Sequence, residues 1–168
     1  KNFKNVEGHT VNLDELFLAF RASLSKFDSE HGMANSRARL RMTTLYQVAA
    51  ANKGIVVGTG NKVEDFGVGF YTKYGDGGVD ISPIADCNKT QIWELGKELG
   101  ILNEIIEAAP TDGLWDDGRT DEGQLGLTYS ELEEAMDNEN SKNRDKYNKI
   151  RNANLHKMDP IPVCKIPK

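Results

Sequence analysis

Ile55-Val56-Val57-Gly58-Thr59-Gly60-Asn61 reads as a strand that runs straight into a glycine turn. Consecutive β-branched residues predict a short buried strand, and the glycines predict a tight turn into a short helix near Glu64. Before this stretch, residues 36–52 carry helical spacing, with Leu40, Leu45, Val48 and Ala49 inward and Gly54 suited to the helix end. Helix, buried strand, glycine turn, helix is the rhythm of a layered α/β fold, and ligands of such folds sit at the carboxyl ends of the strands. Thr59 stands at that position.

Working outward toward the start, Val6 to Val11 is short and β-leaning. Asn12 is suited to cap a helix, and Leu13, Leu16, Phe17, Phe20, Leu24 and Phe27 follow at helical spacing, a stripe for core or interface with core as the default. A loop is expected through His31 and Gly32. Toward the end, glycines crowd residues 67–78. A helix opens at Asn88 or Thr90, turns Ile92, Leu95 and Leu99 inward, and stops at Gly100. Residues 101–108 form a further short helix before Pro110, and residues 111–126 read as loop. Ser130 with Glu133 predicts a capping box. Residues 138–143 are polar, a surface or disordered stretch. A last helix spans 144–155, and the tail through Pro160 and Pro162 is extended. With one convincing strand and a weaker one, the sheet is short of members. Together with the absence of Met at Lys1, this leads to the expectation that the chain begins mid-protein.

The totals exclude several classes. A chain of 168 residues, 38% hydrophobic and 28% charged, has the composition of an ordinary globular domain. A net charge of -5 argues against a broad non-specific grip on nucleic acid. No apolar run approaches a membrane span and no signal peptide is visible. Cys87 and Cys164 lie far apart in no metal spacing, as expected of reduced thiols in a cytoplasmic protein.

Several constellations carry chemistry. Arg37, Arg39 and Arg41 alternate near a helix start and cannot all share one helical face. Arginine forms bidentate bonds with carboxylate and phosphate, and a solvated basic turn is the competing reading. The Gly58-Thr59-Gly60-Asn61 turn lets a backbone approach a ligand but lacks the known phosphate-loop spacings, so a plain strand-to-helix turn stands equal to a nucleotide site. Glu64, one turn on, is either a solvent-facing helix acid or a magnesium ligand. Thr72-Lys73-Tyr74-Gly75-Asp76-Gly77-Gly78-Val79-Asp80 interleaves a lysine and two aspartates with glycines, as loops that close over reactive intermediates do. Lys89, Thr111 and His156-Lys157 are phosphate-friendly groups, each alone equally at home on a surface. No nucleophile–base pair has interpretable spacing.

Taken together, these stretches resemble the ammonia-dependent NAD synthetases. The matching runs are RARLRMTTLY (37–46), VVGTGNKVE (56–64), GFYTKYGDGGVDISPI (69–84), NKTQIWELGKELGI (88–101), APTDGLW (109–115), TDEGQLGLTYSELE (120–133) and ANLHKM (153–158), in family order over most of the chain. Lys73 before Tyr74 matches the short, ammonia-using type rather than the glutamine-dependent one. The resemblance implies a Rossmann-like, three-layer α/β fold of the adenine nucleotide alpha-hydrolase-like (N-type ATP pyrophosphatase) class. It implies one domain over residues 1–168, equivalent to the C-terminal two-thirds of such an enzyme and incomplete at the N-terminus. It also implies the reaction, in which ATP adenylates the carboxylate of deamido-NAD and ammonia displaces AMP to give NAD.

The residue roles implied are specific. Arg39, Lys73, Asp80, His156 and Lys157 would meet deamido-NAD. Thr59, Lys89 and Thr111 would bind ATP, with Lys73, Lys89 and Thr111 assisting the chemistry, and Glu64 would hold Mg2+. A cytoplasmic homodimer, with no nucleic acid or membrane partner, completes the expectation. The family's S-G-G-x-D-S phosphate loop does not occur between Lys1 and Lys168, and Asp112-Gly113 stands where the family more often has a small residue and then Asp. The alternatives are a GMP-synthetase-like relative, a glutamine-dependent relative, or a non-catalytic nucleotide-binding or dimerisation module.

Overall fold

The first helix is started by Asn12, whose Oδ1 accepts the Asp14 N–H at 2.7 Å. The structure, a computed structural model, describes residues 3–167. Helix α1 spans Asp14–Ser23, and a 3-10 turn over Ser25–Phe27 follows. The apolar stripe predicted here as core is not fully buried: Leu13, Phe17, Phe20 and Leu24 are half-buried, while Leu16 and Phe27 are 51% and 78% exposed. Among the described residues, residues 6–11 pair with no strand.

Helix α2 spans Glu30–Ala51 and begins about two turns before the expected start at residue 36. The cause is Ser29, whose Oγ accepts the Gly32 N–H at 3.2 Å, while Glu30 complements the positive helix end. His31 and Gly32 are therefore helical, not loop. The buried face of α2 is Met33, Ala34 and Ala38, whereas Leu45 and Val48, expected inward, are 56% and 39% exposed. The left-handed residue after α2 is Lys53, φ 54°, rather than Gly54, whose N–H closes onto Ala49 O at 2.8 Å.

The predicted buried strand is a single parallel bridge, Val57 with Ile81. Val56 is 6% exposed, but Ile55 and Val57 are 59% and 54% exposed, because among the described residues no further strand pairs beside them. The turn of helix around Glu64 is a π-turn, Val63–Val68.

The remaining helices are α3 (Lys89–Glu98), α4 (Asn103–Ile106), α5 (Asp121–Leu125), α6 (Tyr129–Asp137) and α7 (Arg144–Met158). Gly100, φ 68°, ends the α3 region as expected. Helix α5 lies inside the stretch read as loop; Thr120 caps it by accepting the Gly123 N–H at 3.1 Å. The capping box of α6 is Thr128 with Glu131, not Ser130 with Glu133. Glu133 instead caps α3 from outside, taking the Thr90 N–H at 3.0 Å and hydroxyl at 2.6 Å. The polar residues 138–143 form a turn between α6 and α7, with Asn138 Oδ1 accepting the Asn140 N–H.

The core lies where the π-turn meets α6 and α7. Val63, Val68, Tyr129, Leu132 and Ala135 are fully buried there, with Leu125, Leu127 and Tyr147 beside them. Each large apolar side chain buried this way contributes roughly 1.5–3 kcal/mol. The Trp93 and Tyr129 rings meet nearly perpendicular, with centroids 5.9 Å apart. Among the described residues, no helix is long and apolar enough to cross a membrane.

Candidate functional site

The turn after Val57 is held from both sides. The Gly58 N–H donates to Ile81 O at 2.7 Å, the Asp80 N–H to Val56 O at 2.9 Å, and the Val56 N–H to Asp80 Oδ2 at 2.7 Å. Thr59 is left exposed at the carboxyl end of the bridge, as the sequence predicts. The bare backbone of Gly60 leaves room for the Asp65 carboxylate, which a Cβ there would displace. Buried Asn61 caps the π-turn by accepting the Glu64 N–H at 3.1 Å. π-turns concentrate at functional sites, and this one turns Glu64 toward α3 and α6.

Glu64 is not a solvent-facing acid. Its Oε1 accepts from Lys89 Nζ at 3.1 Å and from the Tyr129 hydroxyl at 2.5 Å. Lys89 also stands 4.9 Å above the Tyr129 ring. The same hydroxyl lies 3.2 Å from Asp121 Oδ2, and Asp121 Oδ1 is buried without a partner. Burial, then the nearby Glu64 charge, pushes the Asp121 carboxyl above its usual range. Burial and the same two acids push the Tyr129 phenol up. Burial, reinforced by Glu64 and Asp76, raises Asp65 to about 6. Burial also raises Asp76, despite the Thr72 N–H on its carboxylate.

Thr59, Glu64 and Thr111, three of the predicted ATP and metal residues, line one cavity of about 340 Å³, with Arg41, Asp65 and Asp121. Lys89 stands behind Glu64 rather than on the lining. The Thr111 loop is braced from α2. Arg37 Nη1 donates to Leu114 O at 2.9 Å, and Arg41 Nη2 donates to Gly113 O at 2.8 Å. One turn apart, these two arginines share a face of α2, and Arg39 points elsewhere. Asp112 is structural: its carboxylate accepts the Leu114 N–H, the Trp115 indole N–H and the Gln124 amide.

The predicted dinucleotide residues divide. Arg39 Nε donates to Lys73 O at 3.2 Å, and Lys73 Nζ donates to His156 O at 2.6 Å, so α2, the glycine loop and the end of α7 meet. Lys157 Nζ donates to Gly69 O at 2.9 Å and Tyr71 O at 2.8 Å, while the Tyr71 hydroxyl returns a 2.6 Å bond to Lys157 O. Burial lowers the Lys157 ammonium pKa, against the pull of Asp76. Asp80 is apart from this group, accepting from Val56 N–H and the Tyr46 hydroxyl. Within the glycine loop the left-handed residue is Tyr74, φ 64°. Gly75 lacks a side chain for another reason: a Cβ would come within 2.8 Å of Thr72 and 2.9 Å of Ala38.

Asp65 and Asp121 line the same cavity and Tyr129 bonds Glu64 behind it, and none of the three is a candidate from sequence. Tyr129 and Asp121 lie inside the TDEGQLGLTYSELE run, whose helical and capping signals masked them. Asp65 reads as a helix surface acid beside Glu64.

Residues 2–165 match the NAD synthase family model. The NH(3)-dependent NAD(+) synthetase of Carboxydothermus hydrogenoformans is 44% identical over 139 residues, 80% of this chain and 56% of that protein. That of Methanosarcina acetivorans is 42% identical over 78% of this chain and 51% of its own length. The chain thus spans about half the length of the curated relatives it matches. An NMN synthetase from Francisella tularensis superposes with a TM-score of 0.89 at 36% identity, covering 96% of this chain and 68% of that one. An NH3-dependent NAD synthetase from Campylobacter jejuni, solved with nitrate, gives 0.67 at 23% identity over 92% of this chain and 64% of its own. The fold is accordingly the Rossmann-type, adenine nucleotide alpha-hydrolase-like fold of these synthetases, and the chain belongs to the NAD synthase family.

Proposed function

We propose that the protein this chain represents amidates deamido-NAD with ammonia at the expense of ATP, giving NAD, AMP and pyrophosphate. The carrying observation is the convergence of Thr59, Glu64 and Thr111 on one cavity, beside the Arg39–Lys73–His156 contact. A carboxylate is a poor electrophile. Its oxygen attacks the α-phosphorus of ATP, the bond to the β-phosphate oxygen breaks, and pyrophosphate leaves. Ammonia then adds to the acyl carbon, a proton is lost, and AMP departs as the C–N bond forms. The protein's part is positioning and charge stabilisation.

Thr59, Lys89 and Thr111 bind the ATP phosphates in this reading, and Arg39, Lys73, Asp80, His156 and Lys157 meet the dinucleotide. Glu64 is the residue to hold Mg2+; a hard carboxylate on the cavity, next to the partnerless Oδ1 of Asp121, suits that ion. Bound magnesium would offset charge on the departing pyrophosphate. Lys89, which pairs with Glu64 at 3.1 Å, would be freed toward the phosphates if Glu64 held the ion. The glycine loop, carrying Lys73, excludes water from the adenylate. The reading includes a cytoplasmic homodimer in which exposed apolar residues of α1 and the 3-10 turn after it contribute to the subunit contact. The exposure of Leu16, Leu18 and Phe27 supports that contact.

The test uses protein from the complete reading frame, with ATP, Mg2+, deamido-NAD and ammonium, following NAD. Formation of NAD from ammonium and not from glutamine is expected; binding of deamido-NAD without turnover overturns the proposal in favour of a non-catalytic module. A second reading rests on the 0.89 TM-score to the Francisella NMN synthetase: the acceptor is the nicotinate mononucleotide. Running the assay with both acceptors separates the two, because the better kcat/KM names the substrate.

A further inference from the structure

Arg37 and Arg41 hold the loop that carries Thr111, and neither has a role in the reaction as set out above. Arg37 donates to Leu114 O at 2.9 Å and pairs with Asp116 at 3.3 Å, while its guanidinium lies 4.5 Å from the centre of the Phe17 ring. Arg41 donates to Gly113 O at 2.8 Å and to Asp112 O at 3.5 Å. The Gly113 N–H in turn donates to Thr111 Oγ1 at 3.3 Å, so the line from Arg41 to the Thr111 hydroxyl runs through a single residue. Gly113 is left-handed, φ 60°, which turns its carbonyl toward α2. Backbone carbonyls gathered at a loop otherwise need water or repel one another, and arginine forks from a rigid helix satisfy several at once.

We propose that Arg37 and Arg41 are positioning residues for ATP: one turn apart on α2, they clamp residues 112–116 and so fix the Thr111 hydroxyl on the cavity wall. Arg41 itself lines that cavity, but Arg37 does not, so Arg37 separates positioning from direct contact with phosphate. A loop held by one helix keeps Thr111 in register with Thr59 and Glu64 before the nucleotide arrives, which lowers the ordering cost of binding.

The inference rests on Thr111 meeting the ATP phosphates, and the experiment separates the two claims. In the full-length protein, Arg37→Ala, Thr111→Ala and the double variant are compared by KM for ATP, KM for the carboxylate substrate, and kcat. Arg37→Ala is expected to raise KM for ATP about tenfold, with the other two constants changed less than about twofold. If the arginine acts through Thr111, the double variant is no worse than Thr111→Ala alone. Arg37→Lys, which keeps one donor for Leu114 O, recovers part of the loss and guards against misfolding as the cause. Effects of Arg37→Ala and Thr111→Ala that multiply overturn the positioning role while leaving Thr111 in place. A loss spread equally over both KM values and the melting temperature overturns it as well. A Thr111→Ala variant with unchanged KM for ATP removes the underlying role of Thr111.

Discussion

Lys89 Nζ and Glu64 Oε1 are 3.1 Å apart in a half-dry pair, with side-chain exposures of 20% and 16%. Removing either partner leaves the other charge in a poorly solvated place. Lys89→Ala is therefore expected to lower the unfolding free energy by about 2 kcal/mol, measured by urea denaturation. Pairing Lys89→Met with Glu64→Gln recovers most of that loss. A loss of the same size in the double variant would show that the stranded Glu64 charge is not its cause.

Asp65 gives a pH dependence of known sign. Its folded pKa is raised from 3.8 to about 6, by burial first and by Glu64 and Asp76 next. The folded state therefore binds this proton more tightly than the unfolded chain. That contribution to stability is fully present below pH 3.8 and is lost as pH rises through about 6. Asp65→Asn removes the titration. In metal-free buffer the variant is expected to gain about 2 kcal/mol over the parent at pH 8 relative to pH 4. Parallel stability–pH curves for parent and variant would refute this.

Lys157 and Tyr71 exchange two hydrogen bonds between α7 and the glycine loop. Lys157→Met strands the carbonyls of Gly69 and Tyr71, at a cost of roughly 1–3 kcal/mol. Tyr71→Phe loses a single bond, about 1 kcal/mol. Hydrogen exchange at residues 69–78 is expected to quicken in both, more in Lys157→Met. Equal protection in both variants and the parent would mean that the glycine packing alone holds the loop.

Leu132 and Leu16 are opposites by burial, 0% and 51% exposed. Leu132→Ala opens a cavity between the π-turn and α6 and is expected to cost about 2–5 kcal/mol at any protein concentration. If the proposed homodimer forms through α1, Leu16→Ala is expected to leave the monomer's stability nearly unchanged and to weaken self-association in sedimentation velocity. A concentration-independent loss from Leu16→Ala would assign α1 to the core instead.

Local signals in the chain carried far. Gly100 after a helical stripe, the glycine turn after Val57, and the runs around Lys73 and His156 are short-range features, and they point to the family and to the residues that line the cavity at Thr59, Glu64 and Thr111. Periodicity fixes which residues share a helical face. It does not say how completely that face is covered, so the α1 stripe reads as core and is only half-buried. Caps lost to competitors two residues away for the same reason: Thr128 with Glu131 and Ser130 with Glu133 offer the same pattern, and only the docking of α3 gave Glu133 another partner. Long-range pairing settled the rest. Residues 25 to 86 positions apart in the chain meet as Lys89 with Glu64, Tyr129 with Glu64, Arg37 with Leu114 and Tyr71 with Lys157. Which acid faces water and which faces a buried phenol depends on how the helices pack, because desolvation acts through space and leaves no mark on neighbouring letters of the sequence.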